Sequence, residues 1–379
     1  MYICMFMVKK NVIVSVTNDL ATDARVEKVC LLLTELNYHV LLVGRKLPNS
    51  LPIQGKPYTT KRFKLLFNKG PLFYAEYNLR LFFFLLFQPK AVLVANDLDT
   101  LLPNTIISRW KNTPLVYDSH EYYTGVPELE GRPRVQKIWK RIERYCIPKL
   151  KFCITVNQSI ANLYKEEYGV DFKVVRNVPV INSIQHKTLA ELGLPADKKI
   201  IILQGAGINI NRGAEELLQS MQYLEGYLLL IIGGGDVFEK LKTMRVDLGL
   251  QEKVLIMDKM PRDKMLSYTA AAHLGATLDK PLSTNYLLSL PNKIFDYVMA
   301  GIPVLSSDLI ELKAIIEKYD IGVVTPSHNP EDIATAIQNV LRNEEMYSRL
   351  KANTAKALTE LNWENEKKVL VDIYTQLVD

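Results

Sequence analysis

Residues 199–203 (KIIIL) run straight into Gln204-Gly-Ala-Gly-Ile-Asn-Ile-Asn-Arg-Gly213, and then into residues 214–221 (AEELLQSM). The first piece is a short, continuous apolar run, as expected of a parallel strand covered on both faces. A glycine loop follows, and then a helix. Strand, loop and helix in this order make half of a βαβ unit, so the fold turns on whether the chain repeats it. Downstream, residues 228–232 (LLLII), 254–257 (VLIM), 274–277 (LGAT), 303–305 (PVL) and 322–324 (GVV) read as further strands with helices between them. Upstream, residues 11–16 (NVIVSV), 39–44 (HVLLVG), 91–95 (AVLVA), 114–117 (PLVY) and 152–156 (FCITV) repeat the scheme. Between the first two, residues 23–37 place Val26, Val29, Cys30 and Leu33 at helical spacing. Alternation throughout implies an α/β protein with doubly wound parallel sheets.

The stretch 178–195 has prolines near both ends and few periodic signals, which places the linker there. The expected organisation is a first domain over residues 1–180, a second over 181–360, and a last helix over 361–379 with no strand after it. That helix is free to cross back onto the first domain. In such sheets ligands bind beyond the carboxyl ends of the strands, so the cleft between two facing domains is the expected site.

Composition agrees with an enzyme-sized globular chain: 379 residues, 48% apolar, 23% charged and 9% aromatic. Disordered and collagen-like chains are excluded. The apolar run 81–87 (LFFFLLF) is far shorter than the roughly 20 residues of a spanning helix. At the N-terminus the apolar residues precede the first lysines, the reverse of a secretory signal. Cys4, Cys30, Cys146 and Cys153 are too few and scattered for a disulfide framework or a zinc site, which points to a cytosolic protein with reduced thiols. The formal net charge of +6 divides into +11 over residues 1–180 and −5 over the rest. The basic half therefore expects an anionic partner: a nucleic acid, a phosphorylated acceptor or an anionic membrane surface.

The loop from Gly205 through Gly207 to Arg212 and Gly213 is a diphosphate signal. Glycines let the backbone approach a phosphate, and Arg212 at a helix start would repel the helix dipole unless an anion lies between them. A dinucleotide fingerprint needs a third glycine where Ile210 stands, so an NAD site is disfavoured. A purely conformational turn remains the alternative. The second signal is Ser289-Leu-Pro-Asn-Lys-Ile-Phe-Asp-Tyr-Val-Met-Ala-Gly-Ile-Pro-Val304. Pro291 suits a first helical turn and Gly301 a C-terminal cap, which puts Asn292 and Lys293 at an anion-binding N-terminus. Asp296, one turn further, can bind a vicinal diol such as a ribose. A plain surface pair of Lys293 and Asp296 is the alternative.

This stretch resembles the nucleotide-sugar motif of the family-four retaining glycosyltransferases, whose fold is GT-B, two Rossmann-like domains facing across a cleft. The family's second glutamate corresponds to Asp296, Gly301-Ile-Pro-Val304 follows as in the family, and Leu288 stands where the first glutamate would be. Arg212-Gly213 is similar to the family's Lys-Gly phosphate position, with Ala206 or Gly207 in place of its arginine and Lys293 able to supply the charge. Residues 18–26, 176–179, 231–236 and 254–260 are similar to other family segments, so the likeness covers nearly the whole chain. His120, in Tyr117-Asp-Ser-His-Glu-Tyr-Tyr123 directly after a strand, resembles the family histidine that contacts the donor sugar. A capping role for His120 or Glu121 is its alternative.

The resemblance implies a nucleoside-diphosphate sugar as donor and a saccharide or lipid-linked hydroxyl acceptor, with retention, in cell-surface polysaccharide or glycolipid synthesis. Gly205, Gly207, Arg212, Ser289, Asn292, Lys293 and Asp296 would line the donor pocket, and His120, Arg212 and Lys293 would act on the reaction. No cofactor and no metal are expected. Asp97-Leu-Asp99 matches a metal motif only superficially, since Asp99 suits a helix cap near Thr100 and one carboxylate pair makes a poor cage. An epimerase of the same fold and a catalytically silent homologue are the rival readings. Arg134, Lys137, Arg141 and Arg144 share one face of a helix within residues 132–151, as expected of a cytoplasmic protein resting on an anionic membrane face. No nucleic-acid-binding module accompanies these charges.

Overall fold

Asn11–Asp19 (β1) is buried along six consecutive residues, Val12 to Thr17, as its unbroken apolar pattern requires. In the computed structural model, which describes residues 10–21, 23–181 and 184–377, it is an interior strand of a seven-stranded parallel sheet. The elements that follow are α1 (Ala24–Glu35), β2 (His39–Arg45), β3 (Thr59–Phe63), α2 (Gly70–Phe87), β4 (Val92–Asn96), α3 (Leu98–Lys111), β5 (Leu115–Ser119), α4 (Pro133–Cys146), β6 (Phe152–Thr155), α5 (Gln158–Tyr168) and β7 (Lys173–Val174). The strand order is β3-β2-β1-β4-β5-β6-β7. The edge strands β3 and β7 escape a search for apolar runs. Thr59, Thr60 and Lys61 of β3 face water, as an edge strand permits.

A second parallel sheet is built from β8 (Lys199–Gly205), α6 (Ala214–Ser220), β9 (Tyr227–Gly233), α7 (Phe238–Asp247), β10 (Val254–Asp258), α8 (Arg262–Ala271), β11 (Leu274–Thr277), α9 (Thr284–Leu287), α10 (Lys293–Ala300), β12 (Val304–Ser306), α11 (Ile310–Tyr319) and β13 (Gly322–Val324). Its order is β10-β9-β8-β11-β12-β13. The chain closes with α12 (Pro330–Arg342), α13 (Glu344–Glu360) and α14 (Trp363–Gln376). Both sheets reverse their strand order beside the first strand, the arrangement that opens a crevice at the carboxyl ends of the two strands there. In the first unit these are β1 and β4, and in the second β8 and β11.

The chain divides into two compact units, one gathering Met1–Arg176 with Lys367–Asp379, the other Asn177–Glu366. Helix α14 is divided between them, its residues from Lys367 onward belonging to the first unit. There the Tyr38 hydroxyl donates to the Tyr374 carbonyl at 2.8 Å, and the Lys10 ammonium donates to the Leu377 carbonyl at 2.9 Å. Cys30, Cys146 and Cys153 are buried and unpaired. Cys4 and the apolar residues at the N-terminus lie outside the described residues. No helix among the described residues is long and apolar enough to cross a membrane.

Candidate functional site

In the second unit, the loop after β8 and the loop after β9 pack backbone to backbone. The Ile208 amide donates to the Gly234 carbonyl at 2.8 Å, and the Gly234 amide to the Gly205 carbonyl at 3.3 Å. A side chain at Gly233 would stand 1.9 Å from the Gly205 carbonyl oxygen, so the approach depends on glycine there. Gly205 is half-buried and Gly207 exposed. Gly213 turns the chain into α6 with a φ of 70°, and its Cα lies so close to β11's extension that a Cβ would meet the Leu278 carbonyl at 2.2 Å.

That close packing brings Arg212 to Asp279, the residue two beyond β11. Arg212 Nη1 lies 3.3 Å from Asp279 Oδ2, and the guanidinium lies 4.9 Å over the Tyr286 ring. Asp279 is fully buried. Its Oδ1 has no hydrogen-bond partner among the described residues, and neither has the buried Arg212 Nε. Lys293 opens α10 beside them. Burial lowers its pKa, Asp279 pulls the other way, and the nearby Arg212 charge adds to the lowering. At the switch point of this sheet Arg212 thus pairs with a buried carboxylate, and the charges of both reach Lys293.

α10 begins later than a proline-first reading places it. Pro291 precedes the N-cap, Asn292, because the chain is still leaving α9 there, with the Ser289 amide donating to the Tyr286 carbonyl at 3.1 Å. The Ser289 hydroxyl donates to the same carbonyl at 2.9 Å, while Asn292 is exposed and its side chain caps nothing. Gly301 ends the helix with a φ of 72°. A Cβ at Gly275 of β11 would stand 2.4 Å from the Tyr297 ring, so this glycine lets α10 lie close on the sheet.

Asp296 does not form a surface pair with Lys293. It is buried, accepts from Gln204 Nε2 at 3.1 Å, and takes both terminal nitrogens of Arg262. Gln204 is in turn fixed by the Thr269 hydroxyl at 2.5 Å. Gln204, Arg262, Thr269, Asp279 and Tyr286 were not singled out from sequence. Asp279 alone carried a signal, a carboxylate just past a strand. The others come from elements whose neighbours in space are 34 to 92 positions away in the chain.

In the first unit, His120 follows β5 and lies between two carboxylates. Its Nδ1 is 3.3 Å from Asp97 Oδ2 and its Nε2 3.5 Å from Asp118 Oδ2, and its amide donates to Asp97 Oδ1 at 2.8 Å. Burial alone would lower the imidazole pKa, but Asp97 and Asp118 outweigh it and raise the value to about 9. His120 is therefore an imidazolium at neutral pH, and no capping role is left for it. Nε2 is buried and makes no hydrogen bond in this arrangement. Asp118 is held by Arg25, with Nη2 at 2.7 Å and Nε at 3.1 Å, and Arg25 Nη1 donates to the Val175 carbonyl at 2.8 Å. Asp97 adopts a φ of 59° and ψ of 165°, a region that non-glycine residues avoid, so the clamp stores backbone strain. Asp99 is not a helix cap. It lies within the first turn of α3, buried, and accepts from the Thr17 hydroxyl at 2.6 Å. Asp97 and Asp99 thus turn to different partners.

Residues 187–357 match the model of the family described as glycosyl transferases group 1. A D-inositol 3-phosphate glycosyltransferase of Xylanimonas cellulosilytica is 23% identical over 195 residues, which are 49% of this chain and 44% of that protein. The chain thus matches rather less than half the length of this curated relative. Among solved structures, sucrose-phosphate synthase of Thermosynechococcus elongatus superposes with a TM-score of 0.79 at 16% identity, over 97% of this chain and 99% of that one. Alr3699/HepE of Anabaena, solved in complex with UDP, gives a TM-score of 0.72 at 14% identity, over 97% and 100%. The same protein is also solved with UDP-glucose. The two doubly wound units are thus the GT-B fold that the Ser289–Val304 stretch implied. Within it, the match to the glycosyl transferases group 1 model covers most of the second unit.

Proposed function

We propose that the chain transfers a hexosyl group from a nucleoside-diphosphate sugar to a hydroxyl of a saccharide or lipid-linked acceptor, with retention and without a divalent metal. The carrying observation is the Arg212–Asp279 pair beside Lys293, in which a buried guanidinium N–H has no acceptor and a second cation lies within reach of both charges. A diphosphate supplies the missing negative charge and the missing acceptors. Gly205 and Gly207 bring backbone close to it, Ser289 and Asn292 flank Lys293, and Asp296 takes the ribose diol by exchanging the half-exposed Arg262. UDP is the nucleotide to test first, because a neighbour of the same fold is solved with it.

In this reading the bond from the anomeric carbon to the diphosphate breaks with its electron pair on the phosphate oxygen. The acceptor hydroxyl oxygen forms the new bond to the anomeric carbon, and its proton passes to the departing phosphate oxygen. Arg212, Lys293 and the amides at the start of α10 stabilise the charge that develops on the leaving group. The first unit receives the acceptor, and its His120 imidazolium can donate a hydrogen bond to a sugar hydroxyl.

Calorimetry with UDP tests the binding claim. Arg212→Ala and Lys293→Ala should each weaken binding by roughly 1.5–3 kcal/mol, the usual worth of a charged hydrogen bond. Unchanged affinity in both removes the diphosphate assignment. Product analysis by NMR then separates the alternatives. An isomerised sugar formed without acceptor identifies an epimerase. Donor binding without turnover identifies a silent homologue, which Leu288 in the family's glutamate position would favour.

A further inference from the structure

The first unit exposes an apolar surface that nothing among the described residues covers. Helix α2 buries Phe73, Tyr77, Leu81 and Leu85 at intervals of one turn, yet Leu72, Leu79, Phe83 and Phe87 on its other side are each half exposed or more. A helix apolar on both sides belongs in an interior, and this one lies at the surface. Trp110 of α3 is 68% exposed and adjoins the patch through Phe82, whose ring is 5.7 Å away. Ordinary soluble surfaces seldom carry contiguous large apolar side chains in this number.

The charges around the patch have one dominant sign. A groove between β3 and α2 is lined by Lys61, Lys64 and Arg80 together with Leu79 and Phe83, so cations and apolar side chains interleave. Lys61 and Lys64 are exposed. All connections from β3 to β4, β4 to β5 and β5 to β6 run in the same direction across the sheet, so the right-handed rule puts α2, α3 and α4 in one layer on one face. Trp139 of α4 meets Tyr74 of α2 at 5.1 Å within that layer. On α4, Arg134, Lys137, Arg141 and Arg144 are exposed beside exposed Ile138. Lys140 instead turns to Glu143 and Glu167 and takes no part in the stripe.

We propose that the outer face of the α2–α3–α4 layer rests on an anionic phospholipid bilayer, with Phe83, Phe87 and Trp110 entering the boundary between headgroups and acyl chains. Long cationic side chains around an aromatic centre suit that boundary, because their stems lie along apolar surface while the charged ends meet lipid phosphates. Charge complementarity selects the bilayer over an uncharged apolar partner, and α2, at 18 residues with Glu76 and Arg80 on its outer side, is suited to lie in the surface plane. The inference extends the proposed reading by bringing a lipid-linked acceptor to the first unit.

Trp110 gives a direct readout, since Trp139 and Trp363 are buried. The full chain is titrated at low ionic strength with vesicles of phosphatidylcholine alone and with one-third phosphatidylglycerol. Anionic vesicles should shift the emission to the blue and sediment the protein, the Trp110→Phe chain should lose the shift, and rising salt should reverse both. Phe83→Ser with Phe87→Ser should abolish the shift at unchanged circular dichroism. Lys61→Glu with Lys64→Glu should weaken partitioning by about fivefold or more per residue. Absence of binding to anionic vesicles overturns the proposal. So does binding that survives the α2 variants and disappears only with Lys137→Glu and Arg141→Glu, or a dimer in light scattering that already shields Trp110. No donor or turnover enters this assay, so its failure is separable from failure of the transferase reading.

Discussion

Replacing Asp97 with asparagine should remove half of the negative charge that keeps His120 protonated. The ring lies 3.3 Å from Asp97 and 3.5 Å from Asp118, and although burial works against it, the two carboxylates raise its pKa from 6.5 to about 9. At about 1.36 kcal/mol per unit, the protonated ring contributes about 3 kcal/mol to the first unit. Because the folded value is raised, this stabilisation is complete below pH 6.5 and is lost as pH rises through 9. Asp99 acts in the same direction, since burial and then Asp97 push it up to about 8, so the folded chain keeps a proton that the unfolded chain releases near pH 3.8. Asp118 is the opposite case. Burial opposes ionisation there, but Arg25 and His120 hold its carboxyl well below the ordinary range, so its contribution appears above pH 3.8 and is lost in acid. Stability should therefore fall between pH 6.5 and 9.

Asparagine keeps the shape of Asp97, carries the same backbone strain and still accepts from the His120 amide, so the substitution isolates the charge. The assay is an imidazole proton–carbon NMR titration, with His120 assigned by loss of its signal in His120→Gln. Asp97→Asn should lower the His120 midpoint by at least about one unit and cost about 1–2 kcal/mol at pH 7 in chemical denaturation, with little cost at pH 9.5. His273 serves as a contrast. Its Nδ1 accepts from the Ile200 amide at 3.0 Å, and burial lowers it to about 4, so it should remain neutral throughout. A wild-type His120 midpoint near 6.5, or one that Asp97→Asn does not move, would refute the clamp.

Asp296→Ala should weaken UDP binding by about 1–2 kcal/mol while leaving inorganic pyrophosphate binding unchanged, because only the nucleoside carries a diol. Equal loss for both ligands would move Asp296 from the ribose to the phosphates. Gly213→Ala should destabilise the second unit by about 2–4 kcal/mol in denaturant unfolding, since it strains a φ of 70° and drives a Cβ against the Leu278 carbonyl. Near-neutral behaviour would mean that the loop gives way easily. Transfer activity should persist in excess EDTA, and activity that vanishes with chelator and returns with Mg²⁺ would reopen a role for Asp97 and Asp99.

Strand type and order of elements were legible along the chain because buried parallel strands must be continuously apolar, as in residues 199–203 and 228–232. Gly213 and Gly301 were legible for a similar reason, since each left-handed turn is local. Edge strand β3 was not, because its outward residues answer to water and to one neighbour only. The candidate site divides along the same line. Arg212 and Lys293 could be singled out as cations at helix starts, but that Arg212 pairs with Asp279 depends on how closely the backbone at Gly213 packs on Leu278. Asp296 could be read as a free carboxylate until Gln204 and Arg262 closed on it from other elements. His120 could be placed after a strand, whereas its charge comes from Asp97 and Asp118, set by strands β4 and β5 lying side by side. Local sequence determines conformation where hydrogen bonds and apolar contacts are local. The protonation states and pairings of buried groups follow from desolvation and from charges brought near by other strands and helices, and only the tertiary structure decides those.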